Sequence, residues 1–514
     1  MKTGKRFLSV CLVVVMVFAV MLSAGCSAKN TSTTEQTTAA KTGESAATAA
    51  TTAKRLDEVK LKWVTAWPSV ETDRDLVFDA VNKVVKEKIN ASVTFDIIDF
   101  GQWKTRIPVL LASNEDMDVV WHNWDYSYAA NVSKGLYKPM DDLLRDYGQT
   151  ILRDIPAAFL DIQRVDGKIY AIPCNQISTK GIVYTIKQEC VDKTGFDIAQ
   201  IKGLYDFDPF LKAIKEKLPE LYPIQNQNGG LWKNLMLEKG WEYVISGNGA
   251  PLAVNYADNT RKVFNVYETP EFKEYCDKVY GWYKAGYIQK DIASTQSVEA
   301  EENAGKYGVI IGGTVEYPGA MSAKYTSQKG YPCTEVITSK NFWEYTAGQA
   351  TMLCIPAQSK NPERAMMLLD LFNDDTELAN TLAYGIKDKH YILNANKQVE
   401  RKRDVGYNFD WQWSMLNTFK LYTDASLPAN HNELVQKTHM EAIPSQLASY
   451  VPNADEYTTE LAQCLTAWQE MGIGLQTGVM DPAVYLPRFL EALKSAGVDK
   501  LVETVQKQID AQLK

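Results

Sequence analysis

Between Leu61 and Trp121 the chain switches repeatedly between two hydrophobic periods, and that alternation limits its fold more than any other feature. Leu61 to Ala66 reads as a strand that ends at Trp67-Pro68. From Thr72 to Ile89, residues Leu76, Val77, Ala80, Val81, Val84, Val85 and Ile89 fall on one face at helical spacing, with Thr72 as N-cap. Val93, Phe95 and Ile97 then alternate with polar residues, as in a strand. Trp103 to Ala112 returns to helical spacing, and Asp118 to Trp121 is a short buried strand. A helix between two strands carries the chain back to its starting end, so the strands lie parallel. The pattern predicts a layered α/β domain.

Later elements extend this reading. Asp166-Gly167, between Gln163-Arg164-Val165 and Ile169-Tyr170-Ala171, is a two-residue hairpin signal. Glu271 to Lys284 reads as an amphipathic helix whose Tyr275, Tyr280, Trp282 and Tyr283 are mainly core. Tyr307 to Ile311 and Thr351 to Ile355 read as strands. Asn361-Pro362 opens a helix over Glu363 to Phe372, with Asn as cap and Pro at the first helical position. No repeat and no second low-complexity linker interrupts the body, which predicts two interleaved lobes over 56–514. A helical C-terminal module, spanning approximately 380–514 and ending in Val502 to Leu513, is expected to pack on them.

Composition removes several function classes. Hydrophobic residues are 45% and charged residues 23% of the chain, which excludes a disordered, collagenous or multi-span membrane protein. The net charge is −8, and −11 without Lys2, Lys5 and Arg6 of the leader; no basic block is present, so nucleic acid is not an expected partner. Cys174, Cys190, Cys276, Cys333, Cys354 and Cys464 have no ligand spacing, and most sit among apolar neighbours as small hydrophobes. His122, His390, His431 and His439 lack an HxxxH or HExxH spacing, and no phosphate-binding loop occurs. No metal and no cofactor are expected.

The amino terminus points to export. Lys2, Lys5 and Arg6 precede an apolar run from Phe7 to Leu22, the layout of a secretory signal over 1–25. Leu22-Ser23-Ala24-Gly25 before Cys26 resembles a bacterial lipobox, which implies a diacylglycerol-modified Cys26 that anchors the chain to a membrane. Ser27 to Lys54 is almost only Thr, Ala, Ser, Lys and Glu, so residues 26–55 are expected to form the lipidated Cys and a disordered tether. The expected location is the outer face of a Gram-positive cell membrane.

Motifs spread from Leu61 to the end carry a family resemblance. Lys86 to Ala91, Leu110-Leu111-Ala112-Ser113-Asn114-Glu115-Asp116-Met117-Asp118-Val119, Lys168 to Pro173 and Ser359 to Ala365 are among them. So are Tyr384-Gly385-Ile386-Lys387-Asp388-Lys389-His390-Tyr391, with Asp388 in place of a Gly, and Gly478 to Pro482 followed by Tyr485 to Phe489. Together they resemble extracellular solute-binding lipoproteins of sugar-type ABC importers, family 1, in the LplA-like branch with a C-terminal domain of unknown function. The resemblance implies a two-lobe, type II periplasmic-binding-protein-like α/β fold with a hinge. It also implies a ligand cleft between the lobes, delivery to ABC permease subunits, a monomer, and no catalysis.

Sugars present apolar ring faces and a rim of hydroxyls, so their sites combine aromatic platforms with amides and carboxylates beyond the C-terminal ends of strands. Trp67 follows the first strand, and Trp121, Asn123, Trp124 and Asp125 follow the third, with ordinary packing the competing role for Trp121. Asn175 and Gln176 follow Pro173, where they could instead cap a turn; Glu316 and Tyr317 follow the strand from Tyr307. Trp343, Trp411 and Trp413 complete the candidate set. The expected ligand is a carbohydrate, an oligosaccharide in particular. The alternatives are a wall-attached glycoside hydrolase, which needs two carboxylates across a cleft, and a peptide receptor on the same fold.

Overall fold

The structure, a computed structural model, describes residues 56–67, 71–113, 115–245, 247–312 and 314–513. The leader, Cys26 and the tether lie outside the described residues.

The opening run folds as strand β1 (Val59–Ala66), helix α1 (Arg74–Ile89), strand β2 (Ala91–Ile98), helix α2 (Phe100–Ala112) and strand β3 (Val119–Asn123). β1 pairs in parallel with β2 over its whole length and with β3 at Trp63 and Val64. The five-stranded sheet has the order β2, β1, β3, Thr351–Cys354, Ile172–Pro173, and the late strand Thr351–Cys354 runs antiparallel to both neighbours. Helix α1 buries Val77, Val81 and Val85, while Leu76 is exposed, so the packed stripe is narrower than its apolar spacing. The N-cap position of α1 is Asp73 and not Thr72. The Asp73 carboxylate makes no capping bond because Lys389 and His390 Nε2 engage it, at 2.5 and 3.0 Å. Asp166 and Gly167 both take positive φ, and Arg164–Val165 pairs antiparallel with Lys168–Ile169, as the hairpin signal requires.

A second sheet has the order Cys333–Ile337, Val183–Lys187, Tyr307–Ile311, Tyr222–Ile224. A three-stranded antiparallel sheet, built from Phe264–Asn265, Leu252–Asn255 and Trp241–Tyr243, accompanies it. Two large hydrophobic cores result among the described residues, beside a small cluster of Val183, Val315 and Met321. One gathers residues within 61–174 and 343–442, the other residues within 182–345 and 447–509. Within the described residues the chain therefore passes between the cores near 175–181, 342–347 and 443–446. These passages are tied to one another. Lys180 and Phe342 exchange backbone hydrogen bonds of 2.8 and 2.9 Å, and Phe342–Trp343 pairs in parallel with Ile443–Pro444. The stretch expected as one C-terminal module divides between the two cores, with 380–442 on the first and 447–513 on the second.

The motif Tyr384 to Tyr391 is structural. Gly385 has φ +86, and a Cβ there would lie 2.4 Å from His390 Nδ1. That ring nitrogen accepts from the Ile386 amide at 2.8 Å, so His390 presents its Nε2–H to Asp73. Asp388, which stands where the family pattern has Gly, takes φ +66.

Candidate functional site

A cavity of about 840 Å³ opens where the lobes meet. Its walls come from the end of β3 (His122) and the segment that follows it (Trp124 to Ala129), from the first passage (Gln176 to Lys180) and from Glu344 to Thr351. Ile245, Thr314 and the C-terminal residues Tyr450 and Tyr457 close it from the second lobe. The loop after β3 is the C-terminal end of a parallel strand, the position where open α/β sheets hold ligands.

The walls offer hydroxyls and amides with little net charge. Lys180 Nζ and Glu344 Oε2 are 3.8 Å apart and partly exposed, so they balance each other without a strong bond. Asp125 is oriented by Asn123: the Asn123 Nδ2 donates to its carboxylate at 2.9 Å, and the Asp125 amide donates back to Asn123 Oδ1 at 3.2 Å. His122 is buried beside the Tyr137 hydroxyl, 3.1 Å from Nδ1, and burial pushes its pKa down to about 4, so the ring is neutral at pH 7. A neutral polar ligand suits such a lining better than an ion.

One edge of the cavity is aromatic. Trp124 is 54% exposed, large for a tryptophan. Its ring lies 5.9 Å from that of Trp413 at an interplanar angle of 24°, and Trp411 follows at 5.1 Å from Trp413. Trp121 supports all three from below at 5.9 to 6.2 Å, and Phe100 packs on Trp124 and Trp411. The Gln176 Nε2 donates to the Trp413 carbonyl at 3.2 Å, tying this shelf to the first passage between lobes.

The candidate residues thus separate. Trp124, Asp125 and Gln176 line the cavity, and Trp411 and Trp413 extend its aromatic edge. Trp67 does not reach the cavity. It is 2% exposed, held between Phe78 and Phe409 with the Arg74 guanidinium 5.0 Å above its ring. Trp343 is likewise interior, against Phe159 and His439. Trp121 is buried and donates from Nε1 to Thr351 Oγ1 at 2.7 Å, which makes it the support of the shelf and not its surface. Asn123 and Asn175 are buried too; Asn123 acts through Asp125, and the Asn175 carbonyl accepts from the Thr418 amide. Glu316 and Tyr317 stand outside the cavity wall, and the Tyr317 hydroxyl meets His431 Nδ1 at 2.9 Å. Residues that sequence reasoning missed are Ser178, Thr179, Tyr345, Thr346, Tyr450 and Tyr457. They sit on the passages between lobes and on a distant C-terminal loop, and carry no local motif.

The family model described as bacterial extracellular solute-binding protein matches residues 80–408, and a domain of unknown function, DUF3502, matches 446–514. A carbohydrate ABC transporter substrate-binding protein of Streptococcus pneumoniae serotype 4 is 27% identical over 440 residues, covering 84% of this chain and 87% of the relative. The crystal structure of the N-glycan transport solute binding protein NgtS from Streptococcus pneumoniae superposes with a TM-score of 0.73 at 24% identity, covering 89% of this chain and 99% of the other. The structure of NgtS in complex with Man5GlcNAc gives a TM-score of 0.57 at 25% identity over the same shares. These likenesses agree with the two cores, the linked passages and the cavity between them: the chain belongs to the family of bacterial extracellular solute-binding proteins.

Proposed function

We propose that this protein is the membrane-anchored extracellular receptor of an ABC importer, capturing an oligosaccharide between its lobes and delivering it to the permease subunits. The observation that carries this reading is the near-parallel Trp124 and Trp413 pair at the edge of a cavity walled by hydroxyls and amides. An aromatic face takes the apolar side of a sugar ring, and the polar wall takes its hydroxyls. The kinship with a carbohydrate ABC transporter substrate-binding protein supports the same ligand class. The protein catalyses nothing in this reading. Ligand shifts the lobes toward closure only by binding the closed form more tightly than the open one, and the closed form is what the permease meets.

Isothermal titration of the purified protein against Man1GlcNAc, Man5GlcNAc, other neutral oligosaccharides and short peptides tests the reading. Saturable binding of a glycan without cleavage supports it. Binding of peptides alone overturns the ligand class, and glycan cleavage dependent on Asp125 or Glu344, the carboxylates on the cavity wall, replaces the receptor by a hydrolase. Anchoring is tested separately: Cys26→Ser should release the protein from the membrane fraction into the medium, and retention at the membrane would refute the lipid anchor.

A further inference from the structure

The C-terminal segment that matches the domain of unknown function walls the ligand region twice. Tyr450, Val451, Pro452, Ala454 and Tyr457 close the cavity between the lobes. Beyond Glu344, Tyr345 and Thr346, which belong to both walls, a second cavity of about 400 Å³ opens on the second lobe. Trp468 and Gln476 of the same C-terminal segment form part of its base, with Trp232 and Tyr243 beside them. Asn228, Lys233 and Asn248 are exposed and edge it with polar groups.

The base of this cavity is built to a fixed shape. The helix Thr458–Ala467 passes into a π-turn over Trp468–Gly472 before Ile473–Gln476 resumes α geometry. Such an insertion of one residue re-aims side chains, and it recurs at functional sites. Trp468 is 7% exposed, and two glycines make room for its ring. A Cβ at Gly249 would come within 2.2 Å of the ring and one at Gly472 within 2.3 Å. The indole Nε1 donates to Gln476 Oε1 at 3.1 Å. Gln476 is fixed in turn, because its carbonyl accepts from Asn226 Nδ2 at 2.9 Å and from the Tyr275 hydroxyl at 2.7 Å. Gly229 lies so close to it that a Cβ would stand 2.4 Å from the Gln476 side chain. Backbone and side chains are thus locked before any ligand arrives, which lowers the ordering cost of binding.

We propose that this second cavity is a subsite for a further ring of the same neutral oligosaccharide, and that the C-terminal segment is a ligand-binding element which sets how long a glycan the receptor holds. The inference rests on the carbohydrate reading above. Like the first cavity it joins aromatic rings with amides, here rings at the base and amides at the rim, next to a wall shared with the main site. A glycan filling the first cavity and continuing past Glu344 to Thr346 would gain contacts that a shorter one lacks.

The experiment compares Man1GlcNAc and Man5GlcNAc by isothermal titration on the full-length protein and on Asn248→Trp, which places a bulky ring at the exposed rim without entering the core. The wild type should hold Man5GlcNAc at least about tenfold more tightly than Man1GlcNAc, a difference of about 1.4 kcal/mol. Asn248→Trp should erase that advantage and leave Man1GlcNAc binding as it was. Asn248→Ala, which cannot overpack, should weaken Man5GlcNAc alone by a smaller factor, so the test survives a poorly folded Trp variant. Equal wild-type affinity for the two glycans, or equal losses for both in the variants, overturns the subsite while the receptor reading stands. Binding of neither glycan, nor of any other neutral oligosaccharide, to the wild type overturns both.

Discussion

Glu242 makes a sharp prediction about the junction of the lobes. It lies on the strand Trp241–Tyr243, is 1% exposed, and faces two of the passages at once. One carboxyl oxygen accepts from the Tyr345 amide at 2.6 Å, and the other lies 2.6 Å from Ser445 Oγ. Burial raises its pKa from the ordinary 4.5 to about 8, with Ser445 and the Tyr345 amide opposing the rise. The group is therefore a neutral acid at pH 7, its two oxygens accepting from the Tyr345 amide and the Ser445 hydroxyl. In Glu242→Gln the amide oxygen keeps the bond from Tyr345 and the nitrogen donates to Ser445 Oγ once that hydroxyl turns, with no proton to take up. Between pH 4.5 and 8 the folded acid holds a proton that the unfolded chain has lost, so wild-type stability falls as pH rises through this window and levels off above it. At pH 7 the cost is about 3 kcal/mol, and over the whole window about 5 kcal/mol, from 1.36 kcal/mol per pH unit. Urea unfolding at 25 °C from pH 4 to pH 9, read as the difference between variant and wild type, isolates this group from all others. The difference should be near zero at pH 4 and should favour the variant by about 3 kcal/mol at pH 7. Parallel stability profiles, or a variant less stable at pH 7, would refute the reasoning, since the carboxyl would then be ionised and held by its donors.

Three further substitutions probe other parts of the molecule. Trp124→Ala should weaken glycan binding by about tenfold or more while moving stability by no more than about 0.5 kcal/mol, because the ring is exposed; unchanged affinity by titration would remove Trp124 from the site. Trp67→Ala should instead cost about 3–5 kcal/mol of stability in urea, by emptying a packed interior position; a small loss would contradict the burial of its ring. Gly385→Ala, forced to positive φ against His390, should lose more than about 1 kcal/mol, and thermal unfolding within error of wild type would show that the turn tolerates a Cβ.

Much of the first lobe was legible because hydrophobic period follows directly from backbone geometry. The parallel β1, β2 and β3 and the Asp166-Gly167 hairpin needed only local residues. Helix α1 was legible in its placement but not in its cap, because Asp73 is claimed by Lys389 and His390 from far along the chain. The tryptophans show the same limit. Trp67 and Trp124 both follow strands of the first sheet, yet one faces Phe78 and Phe409 and the other faces the cavity. What separates them is Phe409, which arrives from a distant segment and covers Trp67. The site residues Tyr450 and Tyr457 carried no signal at all, since a wall assembled from remote segments leaves no spacing to read.

The place of the strand Thr351–Cys354 has a consequence for how the molecule matures. It stands between β3 and Ile172–Pro173, so the first sheet has a gap until residue 354 has been made. The core around that sheet waits longer, because Tyr407, Phe409, Met415 and Leu416 belong to it. During synthesis from the N-terminus, β1, β2 and β3 can pair once residue 123 is made, but the far edge of β3 and the strand Ile172–Pro173 stay unpaired until residue 354 emerges. Long-range pairing of this kind is slow because loop closure precedes the contacts that reward it. A nascent chain of this design carries an unfinished first lobe until its last third arrives, and an exposed strand edge of that kind is what holdase chaperones must shield from aggregation.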